Sequence, residues 1–144
     1  NVKFVLFGDK KKSENELKSI VNLKNYEFIH TSESISSTDQ PVNALRKLKK
    51  SSMRLGINSV KLNECDGLVS AGNTGALMAI SKFVLKTIKA IDRPAIAALM
   101  PTMKGQTVIL DLGANVECSS ENLVQFAIMG DMFSRSVLGL KIQN

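Results

Sequence analysis

The chain has 144 residues, 44% of them hydrophobic and 22% charged, and a formal net charge of +6. That length buries a core without covalent staples, and that balance excludes a disordered or low-complexity chain. The positive charge favours anionic partners, but nucleic acid is excluded as the first choice because aromatics are few, Trp is absent and no nucleic-acid motif appears.

Val2 to Phe7, "VKFVLF", is β-rich and ends at the turn signal Gly8-Asp9. Ser13 and Glu16 then form an S-x-x-E capping box, with Leu17, Ile20 and Val21 on one helical face. Tyr26 to His30 reads as a second strand, and the polar run Ser32 to Gln40 as a loop. Pro41 suits the first turn of a helix, with Asp39 as a nearby cap and Val42, Leu45 and Leu48 at helical spacing. That helix breaks at Lys49-Lys50-Ser51-Ser52, where Ser52 caps a new one bearing Met53, Ile57 and Val60. Leu68 to Ser70 reads as a short buried strand. Gly75 to Ile88 reads as a helix apolar nearly all round, hence buried. Ala95 to Leu99 and Thr107 to Leu112 are two strands joined as a hairpin by "MPTMKGQ". Ser119 or Ser120 caps a last helix from about Glu121 to Leu138, with Leu123, Phe126, Ala127, Gly130, Phe133 and Val137 facing the core and Gly139 at its stop.

This alternation predicts one α/β domain over residues 1–144, with a mainly parallel, covered sheet. No apolar run of about 18 residues suggests a spanning helix. Cys65 and Cys118 are not spaced as a zinc pair, no metal site is expected, and the reducing cytoplasm is the expected compartment. The start at Asn1-Val2-Lys3 and the end at Ile142-Gln143-Asn144 read as cuts in a longer protein.

Ligands of such sheets bind beyond the carboxyl ends of the strands. The stretch "SAGNTGAL", Ser70 to Leu77, has that placement. Backbone N–H groups at Gly72 and Gly75, with the side chains of Asn73 and Thr74, would cradle an anion at a helix start. It lacks the Lys of a P-loop and fails G-x-G-x-x-G, and spacing alone favours a tight strand-to-helix turn capped by Thr74. Asp111, at a strand end before Gly113 and Asn115, suits a group that orients a donor or accepts a proton, or a turn Asp bonded to its own backbone. Lys104 is either a phosphate-neutralising group or a turn lysine. Ser51 and Ser52, among Arg46, Lys47, Lys49, Lys50 and Arg54, either bind an anion or cap a helix.

Taken in order, "KKSSM", "SAGNTGALMA", "IDRPAIAALMPTMKG", "LDLGANVEC" and "LVQFAIMGDMFSRSVLG" resemble the bacterial PlsX-type phosphate acyltransferases from about Pro41 to Gly139. The resemblance implies a three-layer α/β/α fold similar to phosphotransacetylases and isocitrate-dehydrogenase-like proteins. It implies transfer of a fatty acyl group from acyl carrier protein to inorganic phosphate, giving acyl phosphate for a membrane acyltransferase in phospholipid synthesis. It also implies a homodimer at the membrane periphery and no cofactor. Catalytic roles would fall to Asn73, Lys104 and Asp111. Substrate contacts would fall to Gly72, Asn73, Thr74, Gly75, Ser51, Ser52 and Asn115. Two other readings are a phosphotransacetylase-like enzyme using acyl coenzyme A and a non-catalytic scaffold of lipid synthesis. The chain departs from the family in lacking its opening "DAMGGD"-type segment and its later half, and in placing Met103 where a basic residue is usual. On its own it is expected to lack part of the active site.

Overall fold

A computed structural model describes residues 2–20, 24–112 and 117–139. They fall into two compact units, residues 1–86 and 87–144.

In the first unit, β1 (Phe4–Gly8) and β2 (Tyr26–His30) pair in parallel, with Phe4 opposite Tyr26 and Gly8 opposite His30. Between them runs α1 (Lys10–Ser19). It starts earlier than the S-x-x-E pattern predicts, because Asp9 is its cap and accepts from the Lys11 N–H. The Ser13 hydroxyl instead bonds back to the Asp9 carbonyl. Strand alternation puts Leu6, Gly8 and Phe28 on one face of the ladder and Val5 and Phe7 on the other. A Cβ at Gly8 would meet Ser13 of α1 and Phe28, and one at Gly56 would meet Phe7. Each face of this ladder therefore carries a helix, α1 on one and α3 (Ser52–Lys61) on the other. This is an α/β arrangement.

The core of this unit lies among α2 (Pro41–Lys47), α3 and α4 (Thr74–Leu85). Its buried members are Ala44, Met53, Ile57, Ala76, Ile80 and Val84, with Ile35, Leu45, Leu48 and Leu77 packed around them. Met53 and Ile57, and then Ala76, Ile80 and Val84, recur at the four-residue spacing that keeps one helical face turned inward. Pro41 opens α2 as predicted, but the cap position is Gln40, and Asp39 instead accepts from the Ser36 N–H. Ser51, not Ser52, caps α3. Only one stripe of α4 is buried. Phe83 is exposed, with Arg54 and Lys86 over its ring at 5.5 and 5.1 Å. Cations over an aromatic face make a half-wet position favourable for Phe, which a count of apolar residues cannot show.

Leu68 to Ser70 is not a strand, and Val69 is 99% exposed. No neighbouring strand among the described residues takes its backbone hydrogen bonds. Gly56, an awkward residue inside a helix, is explained here. A Cβ at that position would lie 2.7 Å from Leu68 Cδ1, so its absence lets Leu68 sit down on α3.

In the second unit, β3 (Ala97–Thr102) and β4 (Gly105–Leu110) form the predicted hairpin. The connection is the two residues Met103 and Lys104, and Gly105 takes a φ of 138° that a side chain would resist. The described residues thus hold one parallel and one antiparallel ladder, rather than a mainly parallel sheet. The helix α5 (Ser120–Ser136) is capped by Ser119 in a capping box closed by Asn122. Gly130 gives the predicted close approach, since a Cβ would stand 3.0 Å from Leu110. The buried face is Asn122, Phe126 and Ser134, whereas Leu123 and Val137 are about three-fifths exposed. Among the described residues no helix is long and apolar enough to cross a membrane.

Candidate anion site at the start of α4

The cap of α4 is Asn73, not Thr74. Its Oδ1 accepts from the Ala76 N–H at 2.9 Å. Its Nδ2 donates to the Ser36 carbonyl at 3.0 Å, the Ser37 carbonyl at 3.2 Å and the Asp39 carbonyl at 3.0 Å. An amide with acceptors at one end and a donor at the other can be oriented only one way here. Asn73 therefore joins two segments 34 to 37 residues apart in sequence, and both ends of its side chain are occupied.

The next two residues are different. The first N–H groups of a helix have no intrahelical acceptor, and the N–H groups of Thr74 and Gly75 have none among the described residues. Thr74 and Gly75 line a recess of about 450 Å³ with Ile35, Ser37, Ala71, Gly72 and Asn73. Thr74 is exposed, so its hydroxyl reaches solvent. Helix-start donors facing an open recess favour a negative group.

Gly75 is required here for packing. A Cβ would stand 2.9 Å from Cγ of Pro41, a ring atom that cannot swing aside. Gly75→Ala is expected to destabilise the protein by about 1 kcal/mol, overpacking against α2 outweighing the better helix former. Pro41→Ala in the same chain should recover most of that loss. Urea unfolding of the four forms in a double-mutant cycle measures the coupling.

Ser51 is fully buried, and its hydroxyl donates to the Leu48 carbonyl at 2.8 Å while accepting from the Arg54 N–H at 3.4 Å. Its geometry is that of a helix cap. Ser52 is half-buried and lines a cleft together with Ser70 and Gly72, so it shares a surface with the α4 start. Around this junction the Thr31 hydroxyl donates to the Lys50 carbonyl, and Glu33 accepts from the Lys50 N–H, fixing the break between α2 and α3.

Lys104 and Asp111 belong to the second unit. Lys104 is exposed in the hairpin turn. Asp111 follows β4 with a φ of 62°, a region Asp tolerates better than most residues, and its N–H donates to the Ile96 carbonyl at 2.7 Å. The two stand at opposite ends of β4, roughly 20 Å apart at the usual rise of a strand, so one phosphate cannot touch both. Gly113 and Asn115 lie outside the described residues. Sequence reasoning missed Ile35, Ser37 and the carbonyls of 36–39. The run "SSTDQ" signals a loop and nothing about which helix start it meets.

A family model described as fatty acid synthesis protein matches residues 1–143. The phosphate acyltransferase of Paramagnetospirillum magneticum is 51% identical over 142 residues, which are 98% of this chain and 40% of that protein. That of Magnetococcus marinus is 52% identical over 141 residues, 97% of this chain and 40% of that protein. That of Methylococcus capsulatus is 59% identical over 108 residues, covering 75% and 32% respectively. The chain thus spans about two-fifths of the length of the first two relatives. A match across essentially its whole length means that this chain belongs to the fatty acid synthesis protein family, the PlsX-type phosphate acyltransferases.

Proposed function

We propose that the chain is part of an enzyme that moves a fatty acyl group from an acyl carrier protein thioester to inorganic phosphate. The observation that carries this reading is the pair of unsatisfied N–H groups of Thr74 and Gly75, open to a recess at a helix start, in a chain of this family. A phosphate oxygen attacks the thioester carbonyl, a carbon–oxygen bond forms, and the carbonyl oxygen becomes an oxyanion. Collapse breaks the carbon–sulfur bond, leaving acyl phosphate and the carrier thiol. The chemistry needs a held phosphate, a stabilised oxyanion and no redox step.

In this reading the α4 start holds the phosphate or the oxyanion, with the Thr74 hydroxyl as a further donor and Gly72 and Ser52 beside it. Asn73 acts as a positioning residue. Lys104 balances negative charge, and Asp111 with Asn115 orients the reacting groups. Because Lys104 and Asp111 are far apart along β4, only one of them meets the phosphate directly. An acidic carrier fits the first unit: from Pro41 to Lys61 there are six basic residues and no acidic one. None of the six forms an ion pair with another described residue. The reading carries with it a three-layer α/β/α fold in the complete protein, a homodimer, a cytoplasmic place at the membrane periphery, and acyl phosphate passed to a membrane acyltransferase.

The test is thiol release from acyl carrier protein thioester by the full-length protein, with and without phosphate. Release is expected to require phosphate and to be faster than from acyl coenzyme A. Release independent of phosphate would sink the idea, and a preference for acyl coenzyme A would favour a phosphotransacetylase-like enzyme. Saturable carrier binding with no release would favour a scaffold. Lys104→Ala and Asp111→Asn are each expected to lower turnover by about tenfold or more. The one whose loss raises KM for phosphate is the phosphate contact.

A further inference from the structure

Tyr26, Phe28 and His30 alternate onto the face of β2 that α1 covers. Phe28 is half-buried there, while Tyr26 and His30 stay exposed on either side of it. They are roughly 13 Å apart at the usual rise of a strand. Both line a groove of about 670 Å³ between β2 and α1, within the size range of small-molecule sites. The helix starts beside His30, where the Lys10 N–H donates to His30 Nδ1 at 3.2 Å, and runs back along the strand towards Tyr26. The two ends of the groove therefore differ. At the His30 end stand Lys10 and Lys11, neither of which forms an ion pair with another described residue. At the Tyr26 end are the phenol ring and Leu17, and the charge of Lys18 is taken by Glu14 at 3.0 Å.

We infer that this groove binds a phosphomonoester with an apolar body, its phosphate at Lys10, Lys11 and His30 and its body along Leu17 and Tyr26. The site is made by side chains, because the backbone donors of the helix start are already taken. The Lys10 N–H goes to His30 and the Lys11 N–H to the Asp9 carboxylate. Nδ1 of a neutral His30 is an acceptor in that bond, so the proton of the ring stands on Nε2. The ring is thereby held in one orientation with its single donor free of Lys10. Two ammonium groups and an imidazole N–H suit the three oxygens of a phosphate better than the two of a carboxylate. The charge pattern of α1 points the same way. Lys10, Lys11 and Lys12 open the helix with no acidic residue in its first turn. Cations at a helix start oppose its dipole, and a bound anion removes that cost. Tyr26 supplies a flat apolar surface with a polar tip, and the lysine stems extend the apolar lining. The groove shares no residue with the recess at the α4 start, so the inference stands apart from the acyl-transfer reading.

The experiment is calorimetric titration of the full-length protein with monomeric decyl phosphate and with inorganic phosphate, beside a flotation assay with phosphatidylcholine vesicles carrying phosphatidic acid. Lys11→Ala is compared with Lys12→Ala, which removes the same charge one residue on but from a side chain that does not line the groove. Decyl phosphate is expected to bind saturably. Lys11→Ala should weaken it about tenfold, the loss of one charge-assisted contact, and Lys12→Ala by about twofold or less. Tyr26→Ala should weaken decyl phosphate and leave inorganic phosphate unchanged. Binding of the monomer that depends on Lys11 identifies a free amphiphile as the source of the phosphate. Binding of vesicles alone, with the same dependence on Lys11, identifies a lipid headgroup. If neither probe binds, or if Lys11→Ala and Lys12→Ala weaken binding equally, the groove is no site and the inference is wrong. Inorganic phosphate bound as tightly as decyl phosphate would overturn it as well, since the apolar half of the groove would then hold nothing. All three residues replaced are exposed, and an unchanged unfolding midpoint for each variant separates lost binding from lost folding.

Discussion

Asn73→Asp is expected to destabilise the protein more than Asn73→Ser, although Asp is as good a helix cap as Asn. Both substitutes keep an oxygen that can accept from the Ala76 N–H. Both lose the Nδ2 donor that holds the carbonyls of Ser36, Ser37 and Asp39. With Ser, water can reach the freed carbonyls of this mostly exposed loop, and the expected loss is about 1–2 kcal/mol. With Asp, a carboxylate oxygen stands where the amide nitrogen stood, facing three carbonyl oxygens about 3 Å away. It must expel the loop or take up a proton, and the expected loss is about 2–4 kcal/mol. Urea denaturation of the three forms tests the order. Equal losses would mean that the carboxylate meets no repulsion from the three carbonyls, and no loss in either variant would mean that the three carbonyl contacts contribute nothing.

The second large effect is expected at Ile80. Ile80→Ala should cost about 2–5 kcal/mol, towards the upper end of that range. Ile80 is fully buried, and its buried neighbours include Ala44 and Ala76, which are too short to fill the hole. A loss of that size is a large share of the roughly 5–15 kcal/mol that stabilises an ordinary domain. Ile80→Val, which removes one methylene, should cost only about 0.5–1.5 kcal/mol. The comparison matters because Ile80 lies on the helix whose first turn makes the anion recess. Chemical denaturation of both variants checks the prediction. Similar losses for the two would place the energy in side-chain shape rather than in buried volume.

Much of this was legible in the residues, and the failures are informative. The strands "FVLFG" and "YEFIH", the helix opened by Pro41, the hairpin around Lys104 and the Ser119 cap all follow from local chemistry, and all are present. Local rules misjudged the helix caps by one to four residues. Asp9 competes with Ser13, Ser51 with Ser52 and Asn73 with Thr74, and the winner is decided by where the chain enters the helix. Leu68–Ser70 has a strand's composition but no strand partner among the described residues, and pairing is not a local property. At the candidate site, the sequence marks "SAGNTGAL" as unusual. It cannot say that Asn73 is occupied by a loop more than thirty residues earlier, or that Gly75 is glycine because of Pro41. Both are facts of tertiary packing.

The Asn73 clamp also bears on the kinetics of capture. The four hydrogen bonds of that side chain form during folding, so the wall of the recess and the two open N–H groups are already in place before any anion arrives. A small anion entering it then loses its own freedom but orders little of the protein. Association should therefore run at a rate set by diffusion and charge, without a slow closing step.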